Sequence, residues 1–519
     1  MDGTIKSNSR TTGRVLISVA ILILLVACVN FTNFSMALTP MRVKNINIQK
    51  VLGRSVKSLR IGMVFESVLL SLISFVISLV IIGLLRELNL VSFLKADLSL
   101  VDNMDIVLIT GGISVALGVL AGLYPSFYVT SFPPALVLKG YFGLSPVGRA
   151  LRTGLLFFQF FVSCLLIICA TFIYLQNRYM LHYDLGYDKD NVVVVEMTRY
   201  FMRKNKMAYE SKLKESPYID DVAYSWQKLG SQENYMQMGV DYKDGTIPFK
   251  VLPVSWNFFD VMGMKKIGDW KLTEGDDKGG IKFIVSNDAK TYYDMREGDV
   301  LNFGWDTNAH PIVGCVGEAC FTSLKINMGY VLYSVGDYPN KPISYIRLAK
   351  GCDVVSAINH IKKTISGLDS VYPARIEFYD SFFDALYRDE VNISSIISFM
   401  SLIAIIISLV GVFGLVLFES QFRRKEIGIR KVMGSTVGEV LALLGKKYIL
   451  LVVFSFVFSI PVGIYCVTLY FERFVSKVPL YWWVFALAFV MIMAVTMFTV
   501  VYQSWKTATM NPCESITSE

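Results

Sequence analysis

Charge is what this sequence has little of. Only 18% of its 519 residues are Asp, Glu, Lys or Arg, against roughly 25% in soluble globular domains. With 54% hydrophobic residues, that excludes a soluble enzyme, a disordered tail and a nucleic-acid-binding domain. Histidine is scarcer still: His182, His310 and His360 are the only three. They lie far apart, with no H-E-x-x-H and no cysteine pairing, so no metal site is expected. A phosphate-binding G-x-x-x-x-G-K-[ST] is missing too: Gly445-Lys446 is followed by Lys447, and the upstream glycine spacing is wrong. ATP hydrolysis would have to come from another polypeptide. No G-x-S-x-G and no local signature of a Ser or Cys nucleophile is present. No catalytic residue, metal or cofactor is therefore assigned to the chain. Its eight cysteines form no framework. Cys28, Cys164, Cys169 and Cys466 lie in apolar runs, where Cys acts as a small hydrophobe. Cys315 and Cys320 are close enough in sequence to consider a bridge, if that part of the chain is oxidised.

Long apolar runs are what the sequence has. A helix of about 20 apolar residues crosses the hydrocarbon core. Seven such runs occur, at 15–38, 62–85, 106–129, 152–176, 393–418, 447–471 and 481–504. Loop charge orients them. The loop at 39–60 carries Arg42, Lys44, Lys50, Arg54, Lys57 and Arg60 without an acid, and 131–151 carries Lys139 and Arg149 without one. The loop at 419–446 holds six basic residues against three Glu. By contrast, 86–105 is acidic. The positive-inside rule places the basic loops and the C-terminus in the cytoplasm, and 177–392 and the N-terminus outside. Lys6, Arg10 and Arg14 argue weakly against the last placement. The net charge of +8 fits basic cytoplasmic loops better than a polyanionic partner.

Residues 177–392 read as a mixed α/β domain inserted between the fourth and fifth spans. Asn191–Glu196 is a β-branched run that suits a strand, and Pro217 closes a helix over 203–215. Further strands are expected near 221–226, 250–254, 281–285, 312–316 and 343–348, with a helix at 353–367. No breaker interrupts 171–183 or 380–392, so the flanking spans can continue as helices. Phe258 and Phe259 read as core. The acid pairs Asp220-Asp221 and Asp276-Asp277 read as solvated turns. Asn30, Asn33 and Gln159, polar residues inside spans, read as helix–helix hydrogen-bonding groups. The near absence of ionisable groups in the spans argues against a proton-coupled secondary transporter. Tyr481-Trp482-Trp483 suits an interfacial anchor.

One stretch occurs twice. Arg42-Val-Lys-Asn-Ile-Asn-Ile-Gln-Lys-Val-Leu-Gly-Arg-Ser-Val56 matches Arg423-Arg-Lys-Glu-Ile-Gly-Ile-Arg-Lys-Val-Met-Gly-Ser-Thr-Val437 at eight of fifteen positions without a gap. Each copy follows a span and precedes two more, and each block ends near a proline, Pro134 or Pro512. The chain thus contains a three-span unit twice. The second copy is preceded by a span and a large domain and the first only by a short basic segment. The sequence therefore has the pattern of a two-module protein lacking one span and one outer domain. The repeated element is basic and amphipathic: Ile427, Val432 and Met433 are expected on one helical face, with Arg430 and Lys431 around it and Gly434 as the stop. It could lie on anionic lipid or dock into a groove on a cytoplasmic partner. Lipid attraction needs charge but not the same residue order twice, which favours a partner.

These residues resemble the FtsX/MacB-type permeases of ABC transporters, of the two-module kind found in Bacteroidetes-like bacteria. The resemblance rests on Arg423–Thr436 after a span. It also rests on Phe378-Tyr-Asp-Ser-Phe-Phe383, Tyr387 and Glu390 where the family's stalk begins, and on Val254–Gly263 within its periplasmic core domain. It implies an α-helical membrane protein with seven transmembrane helices plus an inserted α/β, MacB-like extracytoplasmic domain. The expected division is 1–14 an N-terminal remnant, 15–129 a first three-span unit, 130–151 a linker and 152–176 the fourth span. The periplasmic domain follows at 177–392, a second three-span unit at 393–504 and a cytoplasmic tail at 505–519. It further implies a bacterial inner-membrane permease subunit partnered by a separate cytoplasmic ATPase dimer that binds the ATP and Mg. A periplasmic adaptor, lipoprotein or hydrolase and a pairing of permease modules are further implied partners. The nucleotide cycle would reshape the periplasmic domain, in export or in work on lipoproteins or the envelope. The ATPase-docking residues would be Arg42, Lys44, Lys50 and Gly53 in the first element and Arg423, Lys425, Glu426, Arg430, Lys431 and Gly434 in the second. A membrane receptor or scaffold that signals to a cell-envelope partner is the alternative; ligand-stimulated nucleotide turnover would separate the two.

Overall fold

In a computed structural model of the chain, seven helices among the described residues are long and apolar enough to cross a membrane: Gly13–Ser35, Val56–Glu87, Met104–Thr130, Arg152–Leu181, Val391–Gly414, Gly445–Phe471 and Trp482–Gln503. The structure describes all residues except 1–4, 38, 89–98, 132–145, 230–235, 244, 305, 307, 322–323, 325–328, 339–340, 370–374, 423–426, 428, 431–432 and 509–519. Two compact units result. One comprises 1–176, 391–470 and 478–519, and the other 177–390 with 471–477.

The membrane unit contains α1 (Ile5–Ala37), α2 (Thr39–Val51), α3 (Val56–Glu87), α4 (Met104–Thr130) and most of α5 (Pro146–Leu181). The three later helices are numbered below, after the inserted domain. Helices α3 and α4 lie side by side, and the Ser71 hydroxyl donates to the Ser114 carbonyl at 2.7 Å. Hydrogen bonding between helices is a recurrent means of association where apolar burial gives no net gain.

The inserted domain begins with β1 (Val192–Glu196), α6 (Arg199–Lys214), β2 (Ile219–Ser225), β3 (Gln237–Tyr242), β4 (Gly245–Val254), α7 (Phe258–Val261) and β5 (Lys266–Ile267). It continues with β6 (Lys282–Ser286), α8 (Asn287–Tyr292), β7 (Val300–Phe303), β8 (His310–Val316), β9 (Val331–Val335), β10 (Ile343–Leu348), α9 (Val354–Leu368) and β11 (Arg375–Phe378). Helix α10 (Tyr379–Phe422) leads back to the membrane unit, which ends in α11 (Val437–Phe471) and α12 (Trp482–Ala508).

The sheet falls into two lobes. Strands β11-β1-β10-β2 are antiparallel neighbours. The β-branched side chains Val193 and Val195 join Phe201, Tyr209 and Leu213 of α6 and Ile361 and Ile365 of α9 in one core. Thr198 accepts the Phe201 N–H and starts α6. In the second lobe the pairings β4–β3, β3–β7, β7–β8, β8–β6, β6–β9 and the parallel β9–β4 close a ring of six strands. Closure removes open edges, and Phe249, Val251, Phe283, Leu301, Phe303 and Leu332 fill the core.

Most expected strands and both helices lie where the sequence places them, and Phe258 and Phe259 are fully buried. The bridge considered between Cys315 and Cys320 is not formed: Cys315 is buried in β8 with its thiol on the Val316 carbonyl. Two expectations change. The acid pairs are solvated turns only in part: Asp220 is exposed but lies with Asp221 in a strand, and Asp276 and Asp277 lie in a short turn but are bonded and mostly covered. Asp221 sits in β2 and accepts from Asn257 at 2.7 Å; Asp276 accepts the Thr273 N–H at 2.7 Å; Asp277 is nearly buried in ion pairs. In the spans, Asn30 donates to the Ile407 carbonyl and Gln159 to the Ser408 carbonyl at 2.9 Å, but the buried Asn33 side-chain amide makes no hydrogen bond among the described residues.

Candidate coupling elements

The two copies of the repeat build the same turn. In the first, the Arg54 N–H reaches the Gln49 carbonyl at 3.0 Å and Gly53 takes φ of 92°. In the second, the Ser435 N–H reaches the Arg430 carbonyl at 2.9 Å and Gly434 takes φ of 96°. Both are helix ends closed by a left-handed residue, a conformation open to Gly at little cost. A new helix then starts at once. Ser55 accepts the Ser58 N–H at the start of α3. Thr436 accepts the Glu439 N–H at 3.3 Å while Glu439 accepts the Thr436 N–H at 3.2 Å, a reciprocal cap on α11. The alternation of helix former, glycine and hydroxyl thus makes a helix–corner–helix twice.

The first element is seated by charge and by apolar burial. Val43, Ile46, Leu59, Met63 and Val129 form one small core. Arg42 makes a two-pronged contact with Glu66 at 2.7 and 3.2 Å. Lys50 donates to the Thr130 carbonyl at 2.5 Å, and Arg60 donates to the Thr130 hydroxyl at 2.9 Å while lying 4.2 Å from the Phe127 ring. Two cations at the last turn of α4 match the negative end of its dipole. Burial, and then the Arg60 charge, hold the Lys50 ammonium below its ordinary pKa.

The outward face is apolar. Leu52 is 80% exposed, and Ile48 and Val51 are exposed beside it. In the second element Met433 is 82% exposed, next to exposed Ile429. Ile427 is 3% exposed, so it does not share a face with Met433. Six residues apart at about 3.6 per turn, the two point in well-separated directions. Val432 lies outside the described residues.

The structure therefore sorts the sequence candidates. Gly53 and Gly434 form the two corners. Arg42 and Lys50 point inward to Glu66 and Thr130 and hold the element in place. Arg430 is exposed on the second element. Lys44 lies in α2 with its side chain outside the described residues; Arg423, Lys425, Glu426 and Lys431 also lie outside them. Sequence reading passes over Glu66 and Leu52, and names Met433 only as part of an apolar face shared with Ile427. A lone acid at the start of an apolar run is a signal for Glu66. The two apolar residues ahead of the repeated glycine are a signal for the others.

A family model described as FtsX-like permease C-terminal matches residues 17–134 and 398–512, the two halves of the repeat. These two segments match the FtsX-like permease family. No curated protein sequence matches it significantly. Among solved structures, the periplasmic region of MacB from Actinobacillus actinomycetemcomitans is 13% identical. That match covers 40% of this chain and 97% of the other at a TM-score of 0.29. The extracellular domain of the noncanonic ABC-type transporter YknZ from Gram-positive bacteria is 11% identical, covering 36% and 98% at 0.27. The two matched segments contain six of the seven helices that are long and apolar enough to cross a membrane among the described residues.

Proposed function

We propose that the two glycine-cornered elements are docking points for a separate cytoplasmic ATPase, and that the nucleotide cycle is passed to the inserted domain. The supporting observation is that one turn is built twice, each time with a bulky apolar residue, Leu52 or Met433, exposed just before the glycine. Exposed apolar groups that recur in register suit a buried contact with a partner better than they suit water. The basic loops put these elements on the cytoplasmic side, and the inserted domain then lies outside the membrane. Two of the four boundaries between the units fall inside long helices, at 176/177 in α5 and 390/391 in α10. A continuous helix is a stiff connection, as a mechanically driven system requires. Export, lipoprotein extraction and hydrolase activation are all compatible uses of such motion.

The experiment is co-purification from native membranes. Leu52→Asp combined with Met433→Asp should cut the retained ATPase by at least about tenfold, a loss of roughly 1.4 kcal/mol of binding. The permease should remain folded in detergent. Undiminished ATPase retention by the folded double variant would overturn the docking assignment.

A further inference from the structure

Helices α3 and α4 enclose a groove of about 650 Å³ on the surface of the membrane unit. Two glycines draw the helices together along it. A Cβ on Gly118 would fall 2.8 Å from the Val68 Cα, and one on Gly122 would fall 2.7 Å from the Ser67 hydroxyl. Half-buried Val64 and Val68 form the floor. Ile61 and Phe65 of α3 and Leu123 and Phe127 of α4 form the sides, and all four are exposed. From Lys57 to Val68 the groove follows α3 for about 16 Å, at roughly 1.5 Å per residue. That is about half of a hydrocarbon core roughly 30 Å thick. The groove therefore has the depth of one leaflet.

Its mouth is cationic. Lys57 and Arg60 line it, and no acid does. Glu66, the next acid along α3, is held by Arg42 at 2.7 Å. Arg60 is fixed in place: its Nε donates to the Thr130 hydroxyl at 2.9 Å, and its guanidinium carbon lies 4.2 Å from the Phe127 ring. Its remaining N–H donors, and the Lys57 ammonium, have no hydrogen-bond partner among the described residues. The negative end of α4 does not cancel these charges, because the positive end of α3 stands beside it and each is worth about half a charge.

The second copy of the repeat lacks this feature. At the offset that relates Gly434 to Gly53, Gly438 and Leu441 take the places of Lys57 and Arg60. A role common to both copies, such as docking, does not need the two charges.

We propose that this groove binds an anionic phospholipid, with the phosphate on Lys57 and Arg60 and an acyl chain along Val64 and Val68. Depth sets the class: exposed apolar walls one leaflet long face lipid and not water. Charge sets the head group. The guanidinium fork suits a phosphate. A zwitterionic lipid would bring an ammonium to two cations with no acid in the lining to meet it. Basic pockets between transmembrane helices hold anionic head groups in this way. The basic loops put the mouth in the cytoplasmic leaflet. The proposal is independent of ATPase docking.

The test is native mass spectrometry of the full chain in detergent, titrated with dioleoylphosphatidylglycerol or dioleoylphosphatidylcholine. The first phosphatidylglycerol should bind at least about tenfold tighter than the first phosphatidylcholine. Lys57→Gln with Arg60→Gln should abolish that preference. Arg430→Gln with Lys446→Gln removes the same charge from the second copy and should keep it. Val68→Trp fills the groove with both cations in place and should weaken phosphatidylglycerol several-fold. Glycerol 3-phosphate, a head group without chains, should not compete. Unfolding midpoints show that each variant is folded. Equal binding of the two lipids, a preference that survives loss of Lys57 and Arg60 or falls equally in the second-copy variant, or an affinity unchanged in Val68→Trp would each overturn the proposal. So would displacement by glycerol 3-phosphate, or lipid-free dimers as the main species, which would put a second copy in the groove.

Discussion

At Gly53 and Gly434 the backbone holds φ of 92° and 96°, and a Cβ at either position would meet nothing within 4 Å. Space is therefore not the constraint; the backbone conformation is. Alanine at either position should cost about 1 kcal/mol, with asparagine milder, as read by chemical denaturation in micelles. No cost from alanine would mean that the corner relaxes out of the left-handed region. These glycines were legible because the sequence repeats them. Arg42 and Lys50 were legible only as charges, since the string does not show that Glu66 and Thr130 stand opposite. A different residue gives a pH prediction. Asp353 caps α9, and the Ser356 hydroxyl and then the Val355 N–H hold its carboxyl below the ordinary carboxylate range. Its folded pKa is depressed, so its contribution is complete above the unfolded value of about 3.9. The contribution is lost as pH falls through the lower, folded value. Asp353→Asn, which keeps a capping oxygen, should flatten the acid limb of stability below about pH 4. An unchanged limb in a titrated denaturation series would refute this.

Helix α2 shows what hydrophobic periodicity can and cannot settle. Its short length and basic character fit either a lipid-facing or a partner-facing element. The buried Val43 and Ile46 face and the exposed Leu52 choose orientation only once α3 and α4 are in place. The Arg42–Glu66 pair fixes that seat. Both side chains are partly exposed, at 30% and 50%, so the pair adds little to stability, on the order of 0–1 kcal/mol. Its effect should instead appear in function. Arg42→Glu should lower ATPase-coupled turnover in membranes, and Arg42→Glu with Glu66→Arg should restore it. If the swap fails to rescue while the protein stays folded, the pair does not seat the element. Among strands, β1 and β10 were legible as β-branched runs. Strand β3 was not, because Gly239 and Asp241 break its apolar pattern. Strand β9 was not: it is buried on both faces as β1 is, but Leu332, Tyr333 and Ser334 deny it the unbroken β-branched run that marks β1.

The repeat also explains how the membrane unit closes on itself. Gly411 is the counterpart of Asn30 in the second copy, by the same offset that relates Gly434 to Gly53. In the structure these two positions touch. A Cβ on Gly411 would fall 1.8 Å from Asn30 Oδ1 and 2.9 Å from Gln159 Nε2. Around this crossing Asn30 donates to the Ile407 carbonyl, Gln159 to the Ser408 carbonyl, and the Ser163 and Ser408 hydroxyls lie 2.6 Å apart. Equivalent helices α1 and α10 thus meet at equivalent points, with α5 sealing one side. Seven spans and their repeat could be counted from the sequence. The crossing could not, because an in-span Asn can bond to any neighbouring helix. A double-mutant cycle tests it. Gly411→Ala should cost about 1–3 kcal/mol by overpacking against the amide. Asn30→Ala should cost less, about 0.6 and at most about 1.7 kcal/mol for an interhelical hydrogen bond in a membrane. Once Asn30 is shortened the alanine at 411 loses its two closest contacts and keeps only the milder one with the Gln159 amide, so the double variant should be more stable than the sum of the singles implies, by more than about 0.5 kcal/mol. Additive costs in micelle denaturation would show that the two positions do not meet, and the pairing of the two copies across α1 and α10 would have to be abandoned.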